Sequence, residues 1–357
     1  MTNGDVAWPT EEWPVAEDPE EFGIDVGRVS TASEELFGPG AEPPPGRGLS
    51  LALVVVHRGR IVLERYGRQP ANPFHAEREI TSDTPLISWS MAKSITHAMV
   101  GMLVDEGKVR LEDPVPIAQW KDDERRGITW IDLLCMRDGL DFVEDYVADA
   151  SGQSRSDVID MLFGSGADDV YAYARSRPLL HSPGSTWSYS SGTTNIICGL
   201  IGDLLGGQSS VEEFMRERIF LPLGMASAEP TFDAAGTFIG SSYVHATARD
   251  FARFGYLYLR GGEWAGYRIL TEDWVNGAHR QHAIDPDTGH GYGQHWWTWS
   301  ADVRTCAALG YEGQRTIVVP DRDLVVVHLG KWETSTQPFL DRMLTRVIES
   351  VPARSDS

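Results

Sequence analysis

Ser90-Met91-Ala92-Lys93 is the stretch that decides how this 357-residue chain folds. Lysine is scarce here, since only four of the 31 basic residues are lysines and Lys93 is one of them. The apolar run after the stretch predicts a buried helix over residues 91–106, on which positions i and i+3 share a face. A buried lysine can lose its proton, whereas arginine stays charged. Ser90 is therefore either a nucleophile beside an amine or only the N-cap of a helix.

The bulk composition narrows the class of protein. A formal net charge of −21 argues against nucleic-acid binding, because phosphates would be repelled. The three cysteines are far apart in sequence, which favours buried free thiols in a reducing compartment. The first residues lack the pattern of a secretory signal, and no apolar segment reaches the length of a membrane helix. We expect a cytoplasmic protein with a small-molecule substrate and no nucleic-acid or membrane partner. The sequence does not fix the oligomeric state and leaves a homodimer open.

Strand-like segments lie towards both ends of the chain. Residues 51–57 and 60–67 read as a hairpin, and β-rich runs recur at 303–309, 315–319 and 324–329. The first run is apolar at every position, which predicts a sheet covered on both faces. The middle of the chain is helical and loop-rich, so the ends should meet in one sheet that carries an inserted helical lobe.

This pattern predicts a division of the chain into three parts. An N-terminal strap and helix occupy residues 1–47, and a short tail occupies 351–357. The catalytic domain between them spans 48–350, with a sheet lobe (48–85 and 300–350) and a mainly helical lobe (86–299). A cleft between two such lobes is where ligand pockets tend to form.

Two further stretches carry groups that a serine nucleophile needs. Tyr189 lies in Trp187-Ser188-Tyr189-Ser190-Ser191-Gly192, and its hydroxyl is a plausible base only beside a cation such as Lys93; the alternative is a tyrosine at the edge of the core. Gly310-Tyr311-Glu312-Gly313-Gln314 leads into a strand whose N–H could form an oxyanion hole with that of Ser90; the alternative is an ordinary turn.

Other hydrolase signatures are absent from the sequence. Gly-x-Ser-x-Gly and His-Glu-x-x-His do not occur. His279, His282 and Asp285 have a spacing that would suit a metal on a helix, but Pro286 and Gly289 mark this stretch as a loop. We expect neither a metal nor a cofactor.

In this order, the three stretches resemble the motifs of the penicillin-recognising serine hydrolases. The similarity covers about residues 48–350 and extends to the flanking stretches 103–115, 128–134 and 247–255. It is greatest to the class C β-lactamase-like branch, with its family VIII esterases and 6-aminohexanoate-dimer hydrolase. The resemblance implies an α/β (α+β) fold of the β-lactamase/transpeptidase type, with an antiparallel sheet flanked by helices and an inserted helical lobe.

The resemblance also implies roles for individual residues. Ser90 would be the nucleophile, and Tyr189 would take its proton and deliver it to the leaving group. Lys93 would hold the proton network as the cation that makes Tyr189 a base. The backbone N–H groups of Ser90 and Gln314 would form the oxyanion hole.

Departures from the family's pattern point to the substrate. Ser191 stands where class C β-lactamases carry asparagine, Tyr311 replaces the lysine that helps to bind a β-lactam carboxylate, and Glu312 adds a negative charge. Efficient β-lactam hydrolysis is therefore not expected. The candidate substrate contacts are Tyr146, Ser191, Tyr311, Glu312, Gly313 and Trp296.

We expect a serine hydrolase that cleaves a small ester or a linear amide through a Ser90 acyl-enzyme. The alternatives are a β-lactamase or a D-aminopeptidase/carboxypeptidase-type activity, and a non-catalytic binding homologue that keeps the fold.

Overall fold

An antiparallel sheet of eight strands joins the two ends of the chain. It belongs to a computed structural model that describes residues 6–9, 11–38, 46–71, 76–145, 147–148, 154–299 and 305–354. From edge to edge, the strands are Ala283–Ile284, Gly291–Tyr292, Trp297–Thr298, Cys306–Gly310, Gln314–Val319, Leu324–Lys331, Leu49–His57 and Arg60–Tyr66.

The N-terminal hairpin completes the sheet by pairing with its last strand. Val54 lies opposite Val327 in an antiparallel register, and Val55 lies opposite Val326. The expectation that both ends of the chain meet in one sheet is confirmed. Because these strands are separated by some 270 residues of sequence, the segment between them must leave the sheet and return to it.

Side chains of the central strands alternate between two apolar cores. Leu53 and Val55 pack on one face with the helices Val26–Phe37 and Gln337–Glu349. Val54 and Val56 face the other core, which includes most of the helical lobe. Both faces of the sheet are thus covered, as the uninterrupted apolar run predicted.

The helix predicted over residues 91–106 spans Ala92–Asp105. The short helices Val170–Arg175 and Leu221–Leu223 were not predicted, because six residues or fewer are too few to show a helical period. Further helices are Trp130–Leu134, Asp157–Phe163, Ser191–Leu205, Gln208–Met215, Ala248–Leu259 and Glu272–His279.

The sheet reaches further into the middle of the chain than the sequence suggested. Three strands of two residues each add to the sheet within a region predicted as helical lobe: Ala283–Ile284, Gly291–Tyr292 and Trp297–Thr298. A strand of two residues cannot display the alternation that identifies longer strands. Strands of two or three residues also pair outside the main sheet. Leu86–Ile87 and Glu229–Pro230 both pair with Val244–Ala246, and the other pairs are Arg68–Gln69 with Arg78–Glu79, Val147–Ala148 with Ser154–Arg155, and Glu263–Trp264 with Tyr267–Arg268.

The N-terminal segment predicted as a strap packs on the helix Ala248–Leu259. Trp13 is buried, with its ring edge-on to Tyr256 at 6.0 Å, and its Nε1 donates a hydrogen bond of 3.1 Å to the carbonyl of Arg249. Trp8 also contacts Tyr256 edge-on, at 5.6 Å. The two tryptophans therefore pin the strap to the helix Ala248–Leu259.

Two observations bear on the class of protein. Cys135, Cys198 and Cys306 are buried and free, as their isolation in the sequence predicted. In the part of the chain that the structure describes, none of the helices has both the length and the apolar character required to cross a membrane.

Candidate active site

Ser90 follows a sharp change of direction from a strand into a helix. The strand Leu86–Ile87 pairs with Val244–Ala246, and the N–H of Ser88 donates to the carbonyl of Val244 at 2.8 Å. Trp89 then adopts a φ of 44°, which is unusual for a bulky residue. Such strain clusters at functional sites, where the surrounding structure holds it in place.

The structure argues against the view of Ser90 as a helix cap. Ser90 lies inside a one-turn 3₁₀ helix, Trp89–Met91, and the α-helix begins at Ala92 without a side-chain cap. The Ser90 hydroxyl instead accepts a hydrogen bond from Lys93 Nζ at 3.1 Å. The i, i+3 spacing thus brings these two functional groups together.

Lys93 is fully surrounded by hydrogen-bond partners. Its Nζ atom donates to the hydroxyl oxygens of Ser90 and Ser191, at 3.1 and 3.0 Å, and to the carbonyl of Ser241 at 2.9 Å. The side chain is 2% exposed. Burial lowers the pKa of Lys93 to about 8, although the charge of Glu144 opposes this shift. With this pKa, about a tenth of the amine is neutral at pH 7, and the neutral fraction rises steeply towards pH 8.

Tyr189 is the last loop residue before a helix. The side chain of Ser190 caps the helix Ser191–Leu205 by accepting the N–H of Thr193, which leaves Tyr189 in the loop just outside. Lys93 Nζ lies 4.8 Å from the centre of the Tyr189 ring, and Ser90 is near enough to the Tyr189 hydroxyl to lower its pKa. The structure thus brings Ser90, Lys93 and Tyr189 close together.

The electrostatics differ from the roles that the family resemblance implied. Burial raises the pKa of Tyr189 strongly, and the negative charge of Glu144 raises it further, with only the Ser90 hydrogen bond opposing. Tyr189 is thus a neutral phenol in the free protein, whereas burial brings the pKa of the Lys93 amine down towards neutral pH.

Glu144 is the residue of this site whose role the sequence did not reveal. Its Oε1 accepts the Ser191 hydroxyl at 2.6 Å, and its Oε2 accepts the Ser191 backbone N–H at 2.7 Å. Burial raises the pKa of Glu144, whereas the charge of Lys93 and both bonds from Ser191 lower it. The sequence offered only a general reason to expect such a residue, because a buried charged lysine requires a nearby carboxylate.

The Gly310–Gln314 turn packs against the start of the serine helix. A Cβ atom on Gly310 would lie 2.4 Å from the carbonyl oxygen of Ser88, so only glycine allows this close approach. The Gln314 side chain points inward, where its Nε2 donates to the carbonyls of Tyr311 and Gly330 at 2.9 and 2.8 Å. The turn is thereby held against the segment that leads into Ser90, while the oxyanion hole from the Ser90 and Gln314 N–H groups stays a prediction.

A buried histidine supports the same turn. His328 Nδ1 lies 2.8 Å from the carbonyl oxygen of Gly313, which can only accept, so Nδ1 carries the proton. The other ring nitrogen, Nε2, then accepts the hydroxyl of Ser50 at 2.8 Å. Burial lowers the pKa of His328 to about 4, which keeps the ring neutral.

Aromatic rings adjoin both reactive side chains. Trp89, next to Ser90, contacts Tyr311 edge-on at 5.8 Å and Tyr243 at 5.7 Å. Tyr189 contacts Trp297 at 5.3 Å. Tyr311 is 61% exposed and Glu312 is partly exposed, so both can be reached by a ligand, whereas Gly313 is buried.

Two other candidate contacts have different outcomes. Trp296 is 0% exposed and lies 4.4 Å from the ring of Tyr258, so it belongs to the core and offers no surface to a substrate. Its neighbour Trp297 is the tryptophan that lies against Tyr189. Tyr146 lies outside the described residues.

Metal coordination finds no support in the structure. Over the described ranges, no three His, Cys, Asp or Glu side chains gather as they would around a metal ion. The residues at hand instead bring a hydroxyl, an amine and a phenol together, a set of groups that suits acyl transfer through a serine.

The fold and the order of these groups define a penicillin-recognising type of serine hydrolase. Residues 42–347 match the Beta-lactamase family, and the chain belongs to that family. It is 26% identical over 295 residues to the 6-aminohexanoate-dimer hydrolase of Paenarthrobacter ureafaciens, covering 78% of this chain and 72% of the relative.

Solved structures share the fold at lower identity. A family VIII carboxylesterase superposes with a TM-score of 0.68 at 16% identity, covering 95% of this chain and 98% of the other. A penicillin-binding protein homologue from Caulobacter crescentus gives a TM-score of 0.64 at 16% identity, covering 95% and 99%. The β-lactamase/transpeptidase-like fold predicted from the sequence is confirmed.

Proposed function

We propose that this protein is a serine hydrolase that cleaves a small ester or linear amide through an acyl-enzyme on Ser90. The observation that carries the proposal is the 3.1 Å contact between Lys93 Nζ and Ser90 Oγ, in a site where burial lowers the pKa of the amine to about 8. Support for an ester or amide substrate comes from the two relatives named for such activities.

Acylation begins with proton transfer from Ser90 to the neutral amine of Lys93 as Oγ attacks the substrate carbonyl. The carbonyl oxygen becomes an oxyanion, which the backbone N–H groups of Ser90 and Gln314 stabilise. When the intermediate collapses, the Tyr189 hydroxyl protonates the leaving group. Lys93 then returns its proton to the Tyr189 phenolate, which leaves both groups neutral and the acyl group on Ser90.

Deacylation repeats these steps with water. Lys93 takes a proton from a water molecule as the water oxygen attacks the ester carbonyl of the acyl-enzyme. The Ser90–acyl bond breaks, the acid leaves, and Lys93 returns the proton to Ser90 Oγ. The cycle therefore consumes one water molecule and restores the resting enzyme.

The composition of the cleft favours a neutral substrate over a β-lactam. The exposed Tyr311 stands where the related β-lactamases have a cation, and Glu312 beside it is acidic. A substrate carboxylate would therefore meet no positive charge from this turn.

Hydrolysis of a short-chain p-nitrophenyl ester tests the proposal. The wild type should release p-nitrophenol, and Ser90→Ala should abolish release while leaving the fold intact. Full activity in Ser90→Ala would refute the assignment. A chromogenic cephalosporin, assayed in parallel, should be turned over far more slowly; turnover equal to that of the ester would favour the β-lactamase or D-peptidase alternative. A protein with neither activity, and whose Ser90 resists a fluorophosphonate, would be a binding homologue.

A further inference from the structure

The Glu144 carboxylate and the Lys93 amine both form hydrogen bonds with the hydroxyl of Ser191. The Ser191 hydroxyl accepts a hydrogen bond of 3.0 Å from Lys93 Nζ and donates one of 2.6 Å to Glu144 Oε1. A hydroxyl can play both parts at once, because it has one proton to donate and lone pairs to accept. The three groups therefore form a continuous hydrogen-bonded chain from Lys93 through Ser191 to Glu144. Because Lys93 Nζ also donates to Ser90, the chain extends to the proposed nucleophile.

A second bond fixes the carboxylate in this chain. The Ser191 N–H, which belongs to the first residue of the helix Ser191–Leu205, donates to Glu144 Oε2 at 2.7 Å. The N-terminal end of a helix stabilises negative charge. Both oxygens of Glu144 are thus engaged by one residue, and the position of the carboxylate relative to Lys93 is set by that helix.

The other titratable groups that face Lys93 are neutral near neutral pH. Burial raises the pKa of Cys198 to about 12 and lowers the pKa of His295 to about 3. The pKa of Tyr189 is also raised by burial. Asp145, whose charge raises the pKa of Glu144, is exposed. Among the described residues, the half-buried Glu144 is therefore the carboxylate whose charge acts directly on Lys93.

We propose that Glu144 is a positioning residue of this site: through the hydroxyl of Ser191, its carboxylate holds the charge on Lys93 and so sets the pH range in which Lys93 accepts the proton of Ser90. The proposal rests on the proposed function. Glu144 stabilises the ammonium form of Lys93, and removing its charge makes the amine lose its proton more readily. The active, neutral amine would then persist to lower pH.

The scarcity of lysine makes a direct measurement practical. The protein has only Lys93, Lys108, Lys121 and Lys331, so lysine labelled with ¹³C at Cε gives four NMR signals. The Lys93 signal is identified by its loss in Lys93→Met. Its titration in the wild type and in Glu144→Gln, which keeps the shape and a hydrogen-bond acceptor, measures the pKa of Lys93 with no need for turnover.

The expected result is a fall in the Lys93 pKa on the order of one unit in Glu144→Gln. Asp138→Asn is the matched control, because Asp138 is a buried carboxylate near the same helix. It accepts hydrogen bonds from the Thr193 hydroxyl and the N–H of Leu140, but none from Lys93 or Ser191. Its substitution should leave the Lys93 pKa unchanged. An unchanged pKa in Glu144→Gln, or an equal fall in Asp138→Asn, overturns the proposal.

A second measurement links this shift to the nucleophile: the rate at which a fluorophosphonate labels Ser90, followed by intact mass. The pH range is on the order of 5 to 10, in which amines of lowered pKa titrate. The acid limb of labelling should move to lower pH in Glu144→Gln by the shift seen in the NMR titration. If the wild type is labelled but the acid limb does not move in Glu144→Gln, only the role of Glu144 is refuted, and the proposed function is not. A wild type that is not labelled at all refutes the proposed function, whereas the NMR titration still tests the pairing of Glu144 with Lys93.

Discussion

Lys93 Nζ lies over the ring of Tyr189, 4.8 Å from its centre, while its hydrogen bonds go to three other oxygen atoms. The ammonium group therefore does not pair with the Tyr189 hydroxyl in the free protein. Under the proposed function, this arrangement separates the two proton-transfer roles, with Lys93 accepting the proton of Ser90 and Tyr189 donating to the leaving group.

The separation predicts that two substitutions respond differently to the leaving group. Lys93→Ala should lower kcat/KM by about 10²–10⁴-fold for every substrate, because the base is lost. Tyr189→Phe should cost a similar factor for an alkyl ester or an amide, and much less for a p-nitrophenyl ester, whose leaving group departs without a proton. Steady-state kinetics on matched esters of one acyl group checks this. Equal losses in Tyr189→Phe for both leaving groups would contradict the assignment of the acid.

Buried neutral histidines predict a loss of stability in acid. The pKa of His328 is lowered to about 4 in the folded protein, against 6.5 as its ordinary value, so the unfolded chain binds more protons between these limits. The stabilisation is fully present above pH 6.5 and falls by about 3 kcal/mol as the pH drops to the folded pKa. His295 and His97, whose pKa values burial also lowers, act in the same direction.

This effect is measured by thermal denaturation at a series of pH values from about 4 to 8, where histidines titrate. The Tm of the wild type should fall steadily below pH 6.5, and His328→Gln should show a shallower fall, because one titrating group is gone. A slope in His328→Gln as steep as that of the wild type would show that His328 does not contribute.

Residue type and spacing were enough to predict the fold and the proximity of Ser90 to Lys93. The uninterrupted apolar run at Leu51–Val56 predicted a sheet covered on both faces, and Ser90 with Lys93 follows from the period of a helix. The role of Glu144 depends on a loop meeting a helix start 47 residues later in the chain, which no local pattern records. Trp296 and Trp297 show the same limit, because adjacent residues near a strand point in different directions and composition does not say which faces the site.

The strap predicts a change that acts on stability alone. Trp13→Ala removes a buried ring and its hydrogen bond to Arg249, and should destabilise the protein by about 3–5 kcal/mol. Trp8→Ala, at a less buried position, is the matched control and should cost less. The Tm of each variant and kcat/KM at a temperature well below it provide the readout. A loss of kcat/KM in folded Trp13→Ala would indicate that the strap also shapes the active site.

Tyr311 predicts how the cleft discriminates between neutral and anionic substrates. Its ring is 61% exposed and rests edge-on against Trp89, beside Ser90, so it is placed to contact a bound acyl group. Tyr311→Lys introduces a cation at this position. Because the site is open to solvent, the gain for a carboxylate-bearing substrate is small, at most about 1 kcal/mol or fivefold in kcat/KM.

The test compares two p-nitrophenyl esters, the neutral butyrate and the anionic hemisuccinate, in both proteins. The ratio of kcat/KM for hemisuccinate over butyrate should rise about two- to fivefold in Tyr311→Lys, and the gain should shrink with added salt. Tyr311→Phe is the control, since it keeps the ring against Trp89 without adding charge and should leave the ratio unchanged. Glu312, which follows in the chain, opposes any anion, so Glu312→Gln should raise the same ratio and add to the effect of Tyr311→Lys. If neither substitution changes the ratio, the Gly310–Gln314 turn does not contact the acyl group, and specificity is set elsewhere in the cleft.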